Sequence, residues 1–123
     1  MFIKSLDNCK YFKALDETFI CEFLHPEREN EYLEMDFSIA HAILKPNESS
    51  LPHRMKSSTE IYYIIEGKAL MHIENESDII ESGQIIHIPP NARQWIENTG
   101  DTTLKFLCLV QPSWQAEDEE LCI

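Results

Sequence analysis

The sequence predicts an all-β fold, a sandwich or barrel of many short strands. Two observations carry this. Short runs rich in Ile, Val, Thr, Tyr and Phe follow one another closely, with Gly, Pro, Asn and Asp clusters between them. The chain is also only 123 residues long, enough to bury the core of one domain and too short for two.

Taken in order, the first fifteen residues carry a weak pattern, a turn followed by a short strand or helix. Thr18 to Leu24 reads as a strand because β-branched and aromatic residues dominate it, and His25-Pro26 ends it. A polar loop follows, then a strand over Met35 to Lys45, turned by Pro46-Asn47-Glu48. His53 to Ile65 is the most β-prone stretch, and Gly67 turns it into Lys68 to Glu74. Asn75 to Asp78 is expected as a turn, Ile79 to Glu81 as a brief strand and Ile85 to Ile88 as another, stopped by Pro89-Pro90-Asn91. Gln94 to Glu97 and Leu104 to Val110 are the last two strands, with Asn98 to Asp101 predicted as a hairpin turn between them. Past Pro112-Ser113 the chain reads as a short helical segment.

The formal net charge of −12 argues against nucleic acid and anionic membrane as partners, since both would repel it. The acidic runs Pro26 to Asn30 and Ala116 to Glu120 read as solvated surface. Cys9, Cys21, Cys108 and Cys122 form no CxxC pair, which speaks against a zinc knuckle or redox dithiol, while their even count leaves disulfides open. No signal peptide and no long apolar run is visible, so a cytoplasmic protein with reduced thiols is expected.

The chemistry concentrates where the His53 to Ile65 stretch begins. With a strand period of two, Glu60 shares a face with Tyr62 and Ile64, while Ile61, Tyr63 and Ile65 take the other. A carboxylate among apolar neighbours is costly unless something positive or a metal ion meets it, and His53 is the partner within reach.

Two spaced motifs extend this reading. Asn47, His53, Met55, Glu60 and Gly67 occupy the positions of a glycine, His-x-His, glutamate and glycine pattern; Gly83, Pro89, Asn91, Gln94 and Asn98 occupy those of a glycine, Pro-x-Gly, histidine and asparagine pattern. In this the chain resembles the small single-domain cupins over roughly Phe37 to Val110, and PPNARQWIENTGD followed by LKFLCLVQPSW is similar to a bacterial and archaeal subgroup of them. The resemblance implies a jelly-roll barrel, or double-stranded β-helix, over residues 37–112. Residues 1–36 would then be an N-terminal extension supplying edge strands, and 113–123 a C-terminal segment.

Metal-binding cupins hold one divalent ion with the two histidines and glutamate of the first motif and the histidine of the second. Carried over by position, the resemblance leaves His53 and Glu60 in place, puts Met55 where the second histidine would stand, and puts Gln94 in place of the third. One imidazole, one carboxylate and one amide make a weak set for a transition metal. Two arrangements stay open: a weakly held divalent metal on His53, Glu60 and Gln94, or a metal-free polar cluster in which His53 and Gln94 satisfy Glu60 and Met55 fills space. Both place His53, Glu60 and Gln94 in one pocket, with Met55 and Tyr62 beside them.

Asn47 and Asn91 replace glycines, and Asn tolerates positive φ better than most residues. His72 and His87 are expected to face outward, His41 is open between pocket and sheet exterior, and His25 sits at a loop. Trp95 and Trp114 read as packing or interface residues, and Arg93 as pointing away from the pocket.

Two functions follow. One is an enzyme of isomerase, decarboxylase or oxygenase type, with His53 and Glu60 placing a metal or acting as acid and base on a small molecule. The other is a binding module that holds a small ligand without converting it. A homodimer is expected in either case, because sheet edges need cover and the apolar chain ends can supply it.

Overall fold

The computed structural model describes residues 1–123. After a 3-10 turn at Leu6–Asn8, eleven strands follow: β1 Phe12–Lys13, β2 Phe19–Leu24, β3 Ser38–Leu44, β4 His53–Met55, β5 Thr59–Glu66, β6 Lys68–Ile73, β7 Glu76–Glu81, β8 Ile85–Ile88, β9 Gln94–Asn98, β10 Leu104–Gln111 and β11 Glu119–Leu121. They form two antiparallel sheets, one ordered β1-β2-β3-β10-β5-β8 and the other β11-β4-β9-β6-β7. No helix is long and apolar enough to cross a membrane.

Alternation decides what each strand buries. In β5, Glu60, Tyr62 and Ile64 face inward while Tyr63 and Ile65 are exposed, as the period of two predicts. In β10, Leu104, Phe106, Cys108 and Val110 face inward, and in β9 Gln94, Ile96 and Asn98 do. The core between the sheets joins Ala42, Leu44, Ile64, Met71, Ile96 and Phe106 to these residues.

The turns explain the glycines and their substitutes. Gly67 has φ +99 and a Cβ there would lie 3.0 Å from the Leu104 Cα, so both backbone shape and space require glycine. Asn47 and Asn91 adopt φ 70 and φ 68, the left-handed shape that asparagine accepts in a glycine's place.

Four expectations are corrected. The segment Asn98 to Asp101 is not a hairpin turn, because β9 and β10 belong to different sheets; it carries the chain across the sandwich. Asn98 holds that crossing, donating from Nδ2 to the Leu44 and Thr102 carbonyls and accepting from the Gly100 N–H at Oδ1. The turn expected over Asn75 to Asp78 is shorter, since Ile73 pairs with Glu76 and residues 76–78 already belong to β7. The C-terminal segment is helical only in a 3-10 turn at Ala116–Asp118, and then forms β11 against β4. Finally, Cys9 and Cys21 are disulfide-bonded, with Cα atoms 5.8 Å apart, while Cys108 and Cys122 are free.

Candidate functional site

The two halves of the first motif stand on opposite sheets. His53 opens β4, directly across from Gln94 on β9, and Glu60 lies on β5 in the facing sheet. Gln94 closes the gap: its Nε2 donates to Glu60 Oε1 at 2.8 Å, and Tyr62 donates its hydroxyl hydrogen to Gln94 Oε1 at 2.9 Å. Both ends of the amide are therefore used. Gln94 Oε1 already accepts from Tyr62, and Met55 offers only a thioether. The four motif positions thus make a weak set for the divalent ion that the family motif implies.

His53 is 1% exposed. Its Nδ1–H donates to the Leu51 carbonyl at 2.8 Å, which leaves Nε2 turned toward Asp16 Oδ2 at 3.4 Å and Glu119 Oε2 at 3.9 Å. Asp16 comes from the turn between β1 and β2. That turn is tied to the approach to β4 by the Leu51 N–H, which donates to the Asp16 carbonyl, and Glu17 takes φ 70 within it. Glu119 comes from β11, opposite Met55. The neighbouring Asp118 docks this end of the chain, accepting from the Ser57 N–H and hydroxyl at Oδ1 and from the Ser58 N–H at Oδ2. Those bonds outweigh the effect of burial and hold the Asp118 carboxyl below its usual range.

Asp16, His53 and Glu119 each offer one ligand atom, all within 4.8 Å of one another, and together could hold a metal ion. They border a cavity of about 330 Å³ whose walls are mainly apolar, including Ile20, Ala40, Phe106, Val110 and Trp114. His53, Met55, Glu60 and Tyr62 line it; Gln94 stands behind Glu60.

The electrostatics follow from burial. Glu60 is pushed up to about 7, because desolvation outweighs the help of His53 and the Gln94 hydrogen bond. Burial alone would lower the His53 imidazole, yet Asp16, Glu60, the Leu51 carbonyl and Glu119 together raise it. Burial also raises Glu119, against the Trp114 hydrogen bond to its Oε1. Tyr62 rises well above its ordinary value for the same reason, so its hydroxyl keeps its proton as the donor to Gln94.

Asp16 and Glu119 were not legible in the sequence. Glu119 sits in the acidic run Ala116 to Glu120, expected as solvated surface; three of its members, Asp118, Glu119 and Glu120, instead turn to the protein, Glu120 Oε1 accepting from Arg54 Nε. Trp114 packs as expected but borders the cavity and anchors Glu119. None of the other four histidines lines the cavity. His25 donates to the Trp114 carbonyl, His41 meets the Tyr11 hydroxyl, His72 stacks on Trp95 and His87 is exposed. Arg93 lies over Trp95 on the outer face.

Known proteins agree with this architecture. The chain is 39% identical to the uncharacterized protein MJ1618 of Methanocaldococcus jannaschii over 94% of its own length and 90% of that protein. It is 33% identical to an oxalate-binding protein of Thermotoga maritima, over 54% of this chain and 55% of that one. Among solved structures, a Streptomyces PAC13 variant with uridine superposes with a TM-score of 0.78 at 12% identity, covering 100% of this chain and 92% of that chain. A predicted oxalate decarboxylase of Thermotoga maritima gives 0.75 at 23%, covering 90% and 99%. The cupin domain pattern itself matches residues 40–110, the span that carries His53, Glu60 and Gln94. With both motifs, the two-sheet barrel and that match in agreement, the chain belongs to the cupin family.

Proposed function

We propose that this cupin is an enzyme that moves a proton on a small, largely apolar molecule bound in the cavity, with Glu60 as the proton carrier. One observation carries the reading. Glu60 is fully buried at the cavity wall with a pKa of about 7, so acid and carboxylate are both populated near neutral pH. Its Oε1 is held by Gln94, which leaves Oε2 for a substrate. Gln94 is held in turn by Tyr62, so the carboxyl keeps one orientation. His53 faces the same space and, when protonated, would stabilise an anion developing on the substrate.

A proton transfer of isomerase or dehydratase type suits these residues better than an oxygenase. Dioxygen chemistry would call for a firmly held redox metal beside the substrate, and proton transfer by Glu60 calls for none. The match to the oxalate-binding relative covers only 54% of this chain, so its ligand is not carried over.

The test is hydrogen exchange in deuterated water. Small hydroxy and keto compounds that raise the melting temperature are incubated with the protein, and deuterium at carbon is scored by mass spectrometry. Exchange that disappears in Glu60→Gln, with the thermal shift retained, is the expected result. Thermal shifts without any exchange would leave the non-catalytic reading, a cupin that binds its ligand and does not convert it.

A further inference from the structure

Asp16, His53 and Glu119 share one geometric feature. Each has one polar atom fixed by the protein and the other left for the space between them. His53 Nδ1 is committed to the Leu51 carbonyl, Asp16 Oδ1 accepts from the Thr18 N–H at 3.0 Å, and Glu119 Oε1 accepts from Trp114 Nε1 at 3.0 Å. What remains is Nε2, Oδ2 and Oε2. Outer partners that fix the far atom of each ligand are the usual means of orienting a metal's ligands.

The buried imidazole is the second observation. His53 is 1% exposed, and its Nε2 makes no hydrogen bond, although two carboxylate oxygens face it at 3.4 and 3.9 Å. Those separations also fit three ligand atoms around one ion. Two ligand atoms each ~2.1 Å from one ion, at a tetrahedral angle, lie ~3.4 Å apart.

We propose that Nε2 of His53, Oδ2 of Asp16 and Oε2 of Glu119 bind one divalent metal ion, at a place shifted from the motif positions toward the two ends of the chain. One nitrogen and two carboxylate oxygens, with no sulfur, suit manganese, iron(II) or zinc over copper(I). Three protein ligands leave coordination positions for water or a cavity-bound molecule. The ligands come from the β1–β2 turn, from β4 and from β11, so the ion also ties both terminal segments to the barrel. The binding experiment reads the metal directly, so its outcome is distinguishable from whether Glu60 moves a proton.

The experiment uses untagged full-length protein stripped with a chelator and titrated separately with Mn²⁺ and Zn²⁺. Binding is followed by calorimetry, by metal content after gel filtration and by melting temperature. One ion per chain with a raised melting temperature is expected. Asp16→Asn keeps the shape and the acceptor for Thr18, and should weaken binding at least about tenfold, as should Glu119→Gln. Glu60→Gln should leave affinity within about threefold, because Glu60 is not a ligand in this assignment. X-ray absorption of the zinc-loaded wild type gives a readout that needs no variant: one imidazole among oxygen donors is expected. Binding abolished by Glu60→Gln and indifferent to Asp16→Asn and Glu119→Gln would return the ion to the motif positions and overturn the assignment. So would a wild type that takes up neither metal, which would leave His53 as an imidazolium between two carboxylates.

Discussion

Gln94 Nε2 donates to Glu60 Oε1 at 2.8 Å across the gap between the two sheets. At the position where metal-binding relatives carry a histidine, this chain carries a clamp on a buried carboxylate. Gln94 also accepts from Tyr62, so one side chain satisfies two buried polar groups.

Removing the clamp should therefore cost more than one hydrogen bond. Gln94→Leu fills the volume but leaves the Glu60 carboxyl without its donor and the Tyr62 hydroxyl without its acceptor. A loss of about 2–4 kcal/mol is expected in denaturant unfolding. Glu60 should also titrate higher than in the wild type, because the Gln94 bond favours its ionised form. A melt unchanged by Gln94→Leu would show that the chain from Tyr62 to Glu60 adds nothing to stability.

Glu60 sets a pH dependence of known sign. Its folded pKa of about 7 lies above the ordinary 4.5, so the folded state holds this proton more tightly than the unfolded state. The carboxyl therefore opposes folding progressively as pH rises from about 4.5 to about 7, with the penalty complete above that. A shift of this size corresponds to something on the order of 3 kcal/mol. His53 acts in the same direction: its raised pKa gives stability present below its unfolded value and lost as pH climbs through the folded one. Glu60→Gln should accordingly gain stability relative to wild type at pH 8 and little at pH 4. Parallel pH profiles for the two proteins would rule out Glu60 as a source of the dependence.

Glycines 67 and 83 make a matched pair. Both have positive φ, but a Cβ on Gly67 meets the Leu104 Cα and Thr103 carbonyl oxygen at 3.0 Å, whereas on Gly83 it meets open space. Gly83→Ala should cost about 1 kcal/mol from backbone conformation alone. Gly67→Ala adds a clash with backbone that cannot move aside cheaply, and should cost at least about twice as much. Equal losses in thermal unfolding would mean that the Leu104 contact relaxes freely.

The outer face of the six-stranded sheet presents Tyr63 and, opposite it on the edge strand β8, Ile85, which is 67% exposed. Ile65 is exposed on the same face. Exposed apolar groups beside a free strand edge favour association, and a homodimer through this face is expected. Sedimentation of the wild type at micromolar concentration should give a dimer mass and Ile85→Lys a monomer. A wild-type monomer would contradict the expected pairing.

Much of the fold was legible from local pattern. The alternation in Glu60, Tyr62 and Ile64 wrote their inward parity into the sequence, and motif spacing put His53, Glu60 and Gln94 into one neighbourhood. Asn47 and Asn91 were readable as left-handed positions because their residue type and spacing are both local facts. The crossing at Asn98 was not, because a turn between two strands looks the same whether they pair or part, and sheet membership depends on distant partners. Asp16 and Glu119 were hidden for the same reason: one lies in an unremarkable turn, the other in a run of acids, and neither has any spacing relation to His53. Alternation tells which way a side chain points. Only the long-range pairing of β4 with β11, and the hydrogen bond from Leu51 to the Asp16 carbonyl, decides which polar groups meet there.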